Sequence, residues 1–374
     1  MNKHEQPGVI IFRKHILPYS ETFIVNQGQF LQKYAPYYTG FQRVSSGASL
    51  LEGTTNAVLE DYGKLLNWEK LKFRLGWNKN HPWIQSLRAT DSKLIHAHFA
   101  TSAIDAMELS EILNIPFVAT VHGNDITTVD ESASYIRKRK KVFEKADKII
   151  AVSHFIQDQL IKKGCPPEKI VQHYIGINID QFSGVKKEAE VPTILFVGRL
   201  VEKKGCRYLL EATKRLQKVH PELQVNIVGD GPLRKTLEEY VSENKLNVNF
   251  LGIQTPDQIK ELMQQAWVFS TPSITAKAGD AEGLGMVFLE AQALQTPVVT
   301  FGSGGVVEAI RHEESGFLCK EKDVDQLTEA LQFLLDSQEE RQRFGEAGRR
   351  NVEEHFDIVK QCQALEGIYD SVVK

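Results

Sequence analysis

The sequence predicts two doubly wound α/β domains that face each other across a cleft. One observation is a series of short apolar runs rich in β-branched residues, which lack alternation and so indicate strands buried on both faces. Another is that each run is followed by a longer amphipathic stretch, as expected of βαβ units in parallel sheets. The third is the length of 374 residues, enough for two domains that each bury a core.

The predicted strands form two groups separated by a polar segment without periodicity, residues 184–192, which we interpret as an interdomain linker. We therefore predict domains over residues 1–182 and 192–355, a linker over 183–191 and a separate C-terminal segment over 356–374. The predicted strands of the first group are residues 8–12, 94–99, 116–122, 148–153 and 170–175, and those of the second are 193–198, 223–229, 248–252, 267–271, 297–301 and 316–319.

Composition and charge exclude several classes of protein. The chain is 42% hydrophobic and 25% charged, close to the globular average, which excludes disordered, collagenous and coiled-coil proteins. Its net charge of −3 argues against a nucleic-acid-binding protein. The charge is unevenly divided, with +4 over residues 1–182 and −7 over 183–374, so we expect the two domains to meet different partners.

Cysteine usage and hydropathy predict a cytoplasmic protein that is at most peripheral to the inner face of the plasma membrane. The four cysteines have no C-x-x-C spacing, which argues against a disulfide framework and a zinc site. The N-terminal residues lead into only five apolar residues, too few for a signal peptide. No apolar run approaches the roughly 20 residues of a membrane-spanning helix.

Ligands of doubly wound sheets bind beyond the carboxyl ends of the strands, so the residues after each predicted strand are the candidates for a site. No P-loop and no G-x-G-x-x-G motif occurs there. The strongest signal is the segment from Glu282 to Glu290, in which Gly283 and Gly285 allow close approach of a ligand before an apolar helix. That helix N-terminus suits a phosphate. If all eight steps are helical, about 12 Å separates the two carboxylates.

Two further segments carry candidate residues. Arg199 and Lys204 follow a strand that ends at Gly198, and the two cations could clamp a pyrophosphate. His122, followed by Gly123, ends a strand of the first domain and could bond a sugar hydroxyl. The plainer alternatives are a glycine-capped turn with two solvated glutamates, a solvated loop and a structural histidine.

Two more histidines, His96 and His98, flank another strand end. They have no carboxylate at metal-ligand spacing, so we interpret them as packing or pocket-lining residues and predict no metal site.

The ordered set of motifs resembles the retaining glycosyltransferases of family four. The resemblance rests on Glu-x7-Glu, Gly-Arg-Leu-x-x-x-Lys-Gly, Gly-Asp-Gly-Pro-Leu and the His-Gly of the first domain, and it covers nearly the whole chain. The Ser20–Ile24 and Ile274–Glu282 segments are similar to the subgroup that builds exopolysaccharides such as colanic acid and amylovoran. One departure is the loop at residues 14–20, where many relatives have a Gly-Gly pair.

The resemblance implies a GT-B fold in which residues 1–182 bind the acceptor, 192–355 bind a nucleotide sugar, and a helix within 356–374 crosses back to the first domain. It implies that Arg199 and Lys204 stabilise the departing diphosphate, beside Gly198. Glu282 would hold hydroxyls of the donor sugar, and Glu290 would bind the ribose. The remaining implied contacts are His122 beside the reacting sugar, amides of Gly283, Leu284 and Gly285 at the donor, and Ile253 in the base pocket.

The implied function is retaining transfer of a sugar from a UDP- or GDP-sugar to a glycan or lipid-linked glycan in surface polysaccharide biosynthesis. The resemblance implies no cofactor and no metal. Two alternatives stay open: a nucleotide-sugar epimerase on the same fold, and a non-catalytic protein that binds sugar nucleotides.

Two basic stretches of the first domain could contact an anionic membrane or a polyprenyl-diphosphate acceptor. One is the run of five cations at residues 137–141, and the other is the segment 70–83, which mixes cations with Phe73, Trp77 and Trp83. The plainer interpretation of each is a solvated helix face.

Overall fold

The computed structural model describes residues 6–18, 21–63, 66–74, 79–129, 131–184 and 186–373. The chain divides into two compact units: Met1–Gly176 together with Ile358–Lys374, and Ile177–Asp357. Each unit holds a parallel sheet with helices between successive strands, which confirms the predicted α/β class. Ser20 and Trp77, which the sequence motifs include, lie outside the described residues.

The first unit is built on a seven-stranded parallel sheet with the order β5-β3-β1-β6-β7-β8-β9, and a two-stranded parallel pair, β2-β4, lies apart from it. Residues 8–12 and 117–121 are buried at every position, as a sheet covered by helices on both faces requires. The strands are β1 Gly8–Phe12, β2 His15–Ile16, β3 Ala35–Gly40, β4 Gln42–Arg43, β5 Asn56–Val58, β6 Ser92–His98, β7 Phe117–Val121, β8 Lys148–Ala151 and β9 Ile170–Gln172.

Helices of the first unit begin at side-chain caps where the sequence offers them. Ser132 and Ser153 accept hydrogen bonds from backbone N–H groups at the starts of α6 and α7. The helices are α1 Thr22–Gln29, α2 Leu66–Arg74, α3 Pro82–Arg88, α4 Ala100–Leu113, α5 Asn124–Thr127, α6 Ala133–Lys145 and α7 His154–Lys162.

The C-terminal helix, residues Ile358–Val372, belongs to the first unit although the second unit precedes it in the chain. Its buried residues recur at intervals of three or four, so one face packs into the core of the first unit. The Glu366 carboxylate accepts N–H groups of Gln32, Lys33 and Tyr34 at 2.8, 2.6 and 3.2 Å, which holds the helix against the turn before β3.

The second unit has a six-stranded parallel sheet with the order β12-β11-β10-β13-β14-β15, the strand order of a dinucleotide-binding fold. Its strands are β10 Thr193–Val197, β11 Gln224–Val228, β12 Val248–Gly252, β13 Val268–Phe269, β14 Val298–Phe301 and β15 Gly316–Cys319. Its helices are α8 Cys206–Leu216, α9 Arg234–Asn244, α10 Pro256–Gln265, α11 Met286–Ala293, α12 Val306–Ala309, α13 Val324–Asp336 and α14 Gln338–His355, and the C-terminal helix of the first unit is α15.

The segment predicted as a linker is bonded to the second unit where it is described. The N–H groups of Lys187 and Ala189 donate to the backbone carbonyls of the last two residues of α10, Gln264 and Gln265, at 3.2 and 2.9 Å. The Glu188 carboxylate pairs with Arg341 on α14 at 2.9 Å. The polar composition of this segment therefore reflects partners within the second unit. The N-terminal part of the first unit ends at Gly176, before residue 182.

The two basic stretches are only partly solvated. In residues 137–141 four of the five cations are exposed, but the Arg139 side chain is buried and paired with Glu131. Phe73 and Trp83 are each 1% exposed and pack edge to face on Phe41 in the core, so neither can contact a membrane. Among the described residues, no helix has both the length and the apolarity needed to cross a bilayer.

Candidate functional site

In the second unit the strand order reverses between β10 and β13, and the predicted site residues follow these strands. Ligands of such sheets bind in the crevice at this reversal, beyond the carboxyl ends of the strands. Gly198 and Arg199 directly follow β10, and a 3-10 turn, Glu202–Lys204, comes next. The segment that ends in Glu282 follows β13.

The turn that carries Lys204 is fixed by a glycine and by the neighbouring segment. Gly205 has φ of +64°, and a Cβ there would lie 1.8 Å from the carbonyl oxygen of Pro272. The N–H of Ile274 donates to the carbonyl of Lys203 at 2.8 Å. The aliphatic part of Lys204 lies over Gly198, with its Cδ 3.3 Å from where a Cβ would be. The backbone at Lys204 is therefore fixed by packing, and its aliphatic chain is directed over Gly198.

Replacing Gly205 by alanine is expected to destabilise the second unit by at least about 2 kcal/mol, because it combines a left-handed backbone with a clash against a backbone atom. Urea unfolding of the full chain measures this. The control is Gly367→Ala, since a Cβ at Gly367 meets no atom within 4 Å and its helix tolerates alanine. Equal stability of G205A and wild type would contradict the packing just described.

Two lysine–carboxylate pairs join this turn to the Glu282 segment. Lys204 Nζ lies 2.5 Å from Glu282 Oε1, and Lys203 Nζ lies 2.9 Å from Asp280 Oδ1. Burial acts to raise the pKa of the Glu282 carboxyl, but the charges of Lys204 and Lys203 outweigh burial and hold the pKa at about 2. The Arg199 guanidinium acts in the same direction. Glu282 is therefore an ionised acceptor throughout the neutral range.

Glu290, the other carboxylate of the motif, has a different electrostatic environment. It lies in the second turn of α11, which begins only at Met286, so the all-helical spacing of about 12 Å from Glu282 does not apply. Burial raises the pKa of Glu290 to about 7, and the charge of Lys204 partly opposes that rise. Both carboxylates thus experience the same ammonium group, one in direct contact and one through space.

The raised pKa of Glu290 predicts a pH-dependent stability. An unfolded glutamate loses its proton near pH 4.5 and the folded one near pH 7, so the folded chain binds more protons in between. The unfolding free energy should therefore fall as the pH rises from about 4.5 to 7. Glu290→Gln removes this dependence. Between pH 5 and pH 8 the urea midpoint of unfolding should therefore rise in the variant relative to that of wild type. The prediction would be contradicted if the midpoints of variant and wild type differed by the same amount at both pH values. It would also be contradicted if the exposed control, Glu313→Gln, showed the same relative rise.

A loop after β14 also contacts the Glu282 segment, and sequence reasoning missed it. The N–H of Gly305 donates to the carbonyl of Glu282 at 2.8 Å, and a Cβ on Gly304 would lie 2.5 Å from that oxygen. The sequence does contain an indication of this loop, since Gly302, Gly304 and Gly305 come directly after the predicted strand 297–301. This loop therefore fixes the backbone of Glu282. It follows Glu282 in the chain, whereas the turn that carries Lys204 precedes it.

The remaining predicted residues of the second unit are found at the same end of the sheet. The Arg199 side chain is exposed, Leu284 is buried, and Gly285 caps α11 with φ of +86°. Ile253 follows β12 and is 60% exposed. The first helical N–H groups of α11 have no intrahelical acceptor, as at every helix start.

His122 lies in the first unit, after β7, in a row of histidines. Its Nε2 is 3.1 Å from His98 Nδ1, and its ring packs against Phe23 and Phe99 at centroid distances of 5.0 and 4.4 Å. Burial lowers the pKa of His122 well below its usual value, and the charges of His96 and Arg13 lower it further. At neutral pH this imidazole is therefore uncharged.

The turn that holds His122 is organised by Asp125, which sequence reasoning did not single out. Its carboxylate accepts N–H groups of Gly123 and Ala100 at 2.8 and 2.7 Å, and that of His122 at 3.2 Å. Burial nevertheless raises the pKa of Asp125, although the hydrogen bonds oppose that rise. Asp125 therefore ties the turn after β7 to the start of α4.

Arg13 is a second residue that was missed. It follows β1 and forms a two-pronged ion pair with Glu21 at 2.8 and 2.9 Å. Its guanidinium lies 4.2 Å from the centre of the Phe99 ring. The rule that ligands bind after the strands would have indicated it, since it directly follows the predicted strand 8–12.

The second unit thus brings two carboxylates and one ammonium into a single cluster of Lys204, Glu282 and Glu290. Arg199 is close enough to lower the pKa of Glu282. This arrangement argues against two solvated glutamates and a solvated loop. Among the described residues, no group of three or more histidine, cysteine or acidic side chains is arranged to hold a metal. The cluster has the donors and acceptors that a phosphorylated, hydroxyl-rich ligand requires.

Two family models match the chain. The model described as "Glycosyl transferases group 1" matches residues 178–351, and "Glycosyltransferase Family 4" matches residues 49–181. The first match contains every predicted site residue except His122, which lies in the second. The family resemblance inferred from the motifs is confirmed.

Two curated relatives of this chain are likewise named as glycosyltransferases. The chain is 32% identical over 241 residues to the colanic acid biosynthesis glycosyltransferase WcaL of Escherichia coli K12, covering 63% of this chain and 59% of WcaL. It is 30% identical over 273 residues to the amylovoran biosynthesis glycosyltransferase AmsK of Erwinia amylovora, covering 72% of this chain and 67% of AmsK. The aligned region thus spans about three fifths of the length of WcaL.

A crystal structure of Anabaena Alr3699/HepE in complex with UDP and glucose matches with a TM-score of 0.80 at 20% identity, covering 98% of this chain and 100% of HepE. At this identity the likeness concerns the fold, and the GT-B class predicted from the motifs is confirmed.

Proposed function

The chain belongs to the group 1 glycosyl transferases, and from this membership we propose that it is a retaining transferase that moves a sugar from a nucleoside-diphosphate sugar to a hydroxyl group of a glycan or lipid-linked glycan. The observation that carries the proposal is the contact between Lys204 and Glu282, at the strand reversal of the second unit, with Lys204 also near enough to lower the pKa of Glu290.

Each member of this cluster has a distinct role in the proposal. The Lys204 ammonium has three N–H donors, and its contact with Glu282 can use only one of them, which leaves donors for the diphosphate. The ionised Glu282 can only accept hydrogen bonds, which suits the hydroxyls of a donor sugar. Glu290, whose pKa is raised, suits the ribose hydroxyls, since either protonation state can bond a hydroxyl.

The proposed reaction breaks the bond between the anomeric carbon and the diphosphate, and it forms a bond from that carbon to the acceptor oxygen on the same face. Negative charge grows on the leaving phosphate, where Lys204 and Arg199 would offset it. The leaving phosphate would take the acceptor's proton. The side chains would therefore contribute electrostatics and position, with no covalent intermediate on the protein.

Names of the relatives support the choice of pathway and donor. WcaL and AmsK are named for colanic acid and amylovoran biosynthesis, so we place this chain in exopolysaccharide biosynthesis. HepE was crystallised with UDP and glucose, which makes UDP-sugars the first donors to test, with GDP-sugars beside them. The similar proteins are named as transferases, and none of them favours the epimerase or the non-catalytic alternative.

The proposal is tested by incubating the full chain with UDP- and GDP-sugars and following release of the nucleoside diphosphate, with and without a glycan acceptor. A transferase releases diphosphate faster when acceptor is present, an epimerase interconverts free donors without releasing it, and a binding protein does neither. We also expect the rate to be unchanged in EDTA, since no step is assigned to a metal. Loss of activity in EDTA, restored by a divalent cation, would contradict that part.

We also propose a peripheral contact with anionic membrane, through α2 and α6. Trp68 and Leu71 of α2 are 49% and 45% exposed beside Lys70 and Lys72, and Ile136 of α6, which is 44% exposed, directly precedes the exposed cations of that helix. Exposed apolar side chains among cations are typical of interfacial helices. The test is cosedimentation with anionic vesicles, and Trp68→Ser with Leu71→Ser should reduce it.

A further inference from the structure

Three histidine rings form a row in the core of the first unit. The ring centroids of His96 and His98 are 4.3 Å apart, and those of His98 and His122 are 5.3 Å apart. His96 has partners on both nitrogens, since Nδ1 lies 2.6 Å from the Tyr369 hydroxyl and Nε2 lies 2.6 Å from the Thr120 hydroxyl. The row therefore ends, on the core side, in a ring whose hydrogen bonds are complete.

The middle ring, His98, has one partner and one unpartnered nitrogen. The side chain is buried, at 1% exposure, and its Nδ1 lies 3.1 Å from His122 Nε2. Its Nε2 is buried, and none of the described residues forms a hydrogen bond with it. Within the described part of the chain, Nδ1 of His98 thus has a hydrogen-bond partner and Nε2 has none. This difference determines which nitrogen carries the proton.

Two imidazole nitrogens in contact share one proton, so one ring donates and the other accepts. If His122 donated from Nε2, the proton of His98 would sit on its Nε2, as a buried N–H with no acceptor. If His98 donates from Nδ1, its Nε2 carries only a lone pair. A buried N–H without an acceptor is rare and costly, whereas an unused acceptor is tolerated more often. The second arrangement is therefore the favoured one.

We propose that His98 is a positioning residue that fixes His122 as its Nδ1–H tautomer. Since His122 Nε2 accepts from His98, the ring has one remaining polar edge, and that edge is a neutral N–H donor. His122 then acts toward substrate as a hydrogen-bond donor to an oxygen atom, and it cannot act as a general base. The identity of that oxygen as substrate rests on the proposed function, whereas the tautomer does not.

The surroundings of the pair support a neutral donor. Phe23 and Phe99 pack on the His122 ring, and the Arg13 guanidinium lies over Phe99. Burial lowers the pKa of both His98 and His122, and the positive charge of Arg13 lowers both further. An additional proton, which would make either ring an imidazolium, is therefore disfavoured at neutral pH, and the one proton between the two rings determines the tautomer of His122.

The tautomer is measured directly by long-range ¹H–¹⁵N correlation spectra of the full chain labelled with ¹⁵N-histidine, at pH 8. The signals of His122 are identified among the eleven histidines by their loss in His122→Asn. The expected result is a His122 whose Nδ1 bears the proton and whose Nε2 does not. A His122 protonated on Nε2 in the wild-type chain would overturn the proposal whether or not the chain transfers sugar.

Two substitutions at His98 form a matched pair. An asparagine amide reaches the position of the Nδ1 donor, whereas a glutamine amide reaches that of Nε2. His98→Asn is expected to keep the Nδ1–H tautomer of His122 and kcat within about threefold of wild type. His98→Gln is expected to release the tautomer toward Nε2–H and to lower kcat about tenfold with KM little changed, the effect of one misplaced hydrogen bond.

If both variants keep the wild-type tautomer, His98 does not set it and the proposal is wrong. If the tautomer changes in His98→Gln while the chain shows no transferase activity with any donor, the positioning role holds and the proposed function fails. The two conclusions are thereby separated.

Discussion

Replacing Lys204 by alanine should lower kcat/KM for sugar transfer by about 10²- to 10³-fold, the usual cost of removing one preorganised group from a developing charge. Lys204 lies 2.5 Å from Glu282 on a turn whose backbone is fixed at Gly205, and the neighbouring Lys203 is already paired with Asp280. Steady-state rates with a saturating acceptor measure the effect.

Two further variants isolate the charge of Lys204. Lys204→Met keeps the aliphatic contact over Gly198 and should lose as much activity as the alanine variant. Lys235→Ala removes a lysine of the same unit whose side chain is 88% exposed, and it should retain full activity. Transfer within a few-fold of wild type in the methionine variant would show that Lys204 does not stabilise the leaving group.

Replacing Tyr369 by alanine should destabilise the first unit by about 3–5 kcal/mol, the range for removing a large aromatic side chain from a core. Tyr369 is fully buried, packs edge to face on Tyr34 at a centroid distance of 5.2 Å, and bonds His96 at 2.6 Å. Native-state hydrogen exchange of the full chain measures the loss in peptides from β6 and β7 without interference from the second unit.

Tyr369→Phe is the matched control, because it keeps the ring and removes only the hydroxyl. We expect a loss of about 1–3 kcal/mol, since His96 Nδ1 is then left without its partner. An alanine variant less than about 1 kcal/mol below wild type would mean that α15 does not complete the core of the first unit.

Most of the fold was predictable because its strands are short, apolar and rich in β-branched residues. All six strands of the second unit lie within or very near the predicted runs, and β12 and β15 match them end to end. Strand β3 was missed because its sequence, Ala-Pro-Tyr-Tyr-Thr-Gly, combines a proline with tyrosines and has no aliphatic run. Its pairing with β1 supplies the regular structure that local sequence does not indicate.

The site was predictable where residues follow one another along the chain, and less so where contacts are distant in sequence. Arg199 and Lys204 were found because both lie in the loop that follows a predicted strand, and Glu282 was found because it begins the Glu-x7-Glu segment with its two glycines. The Gly304–Gly305 contact with Glu282 and the pairing of His98 with His122 required the spatial order of strands, which single runs do not contain. The pKa difference between Glu282 and Glu290 likewise depends on burial and on the position of one ammonium.

The central claim is that Lys204, Glu282 and Glu290 hold a nucleoside diphosphate. Calorimetric titration of the full chain and of Lys204→Met with UDP, GDP and the corresponding monophosphates tests it most directly. We predict that one of the two diphosphates binds the wild-type chain and Lys235→Ala with equal affinity and binds Lys204→Met at least about tenfold more weakly. The affinities of wild type and Lys204→Met for the corresponding monophosphate should differ less. Equal affinity of wild type and Lys204→Met for the diphosphate, or binding of neither diphosphate by the wild-type chain, would contradict the claim.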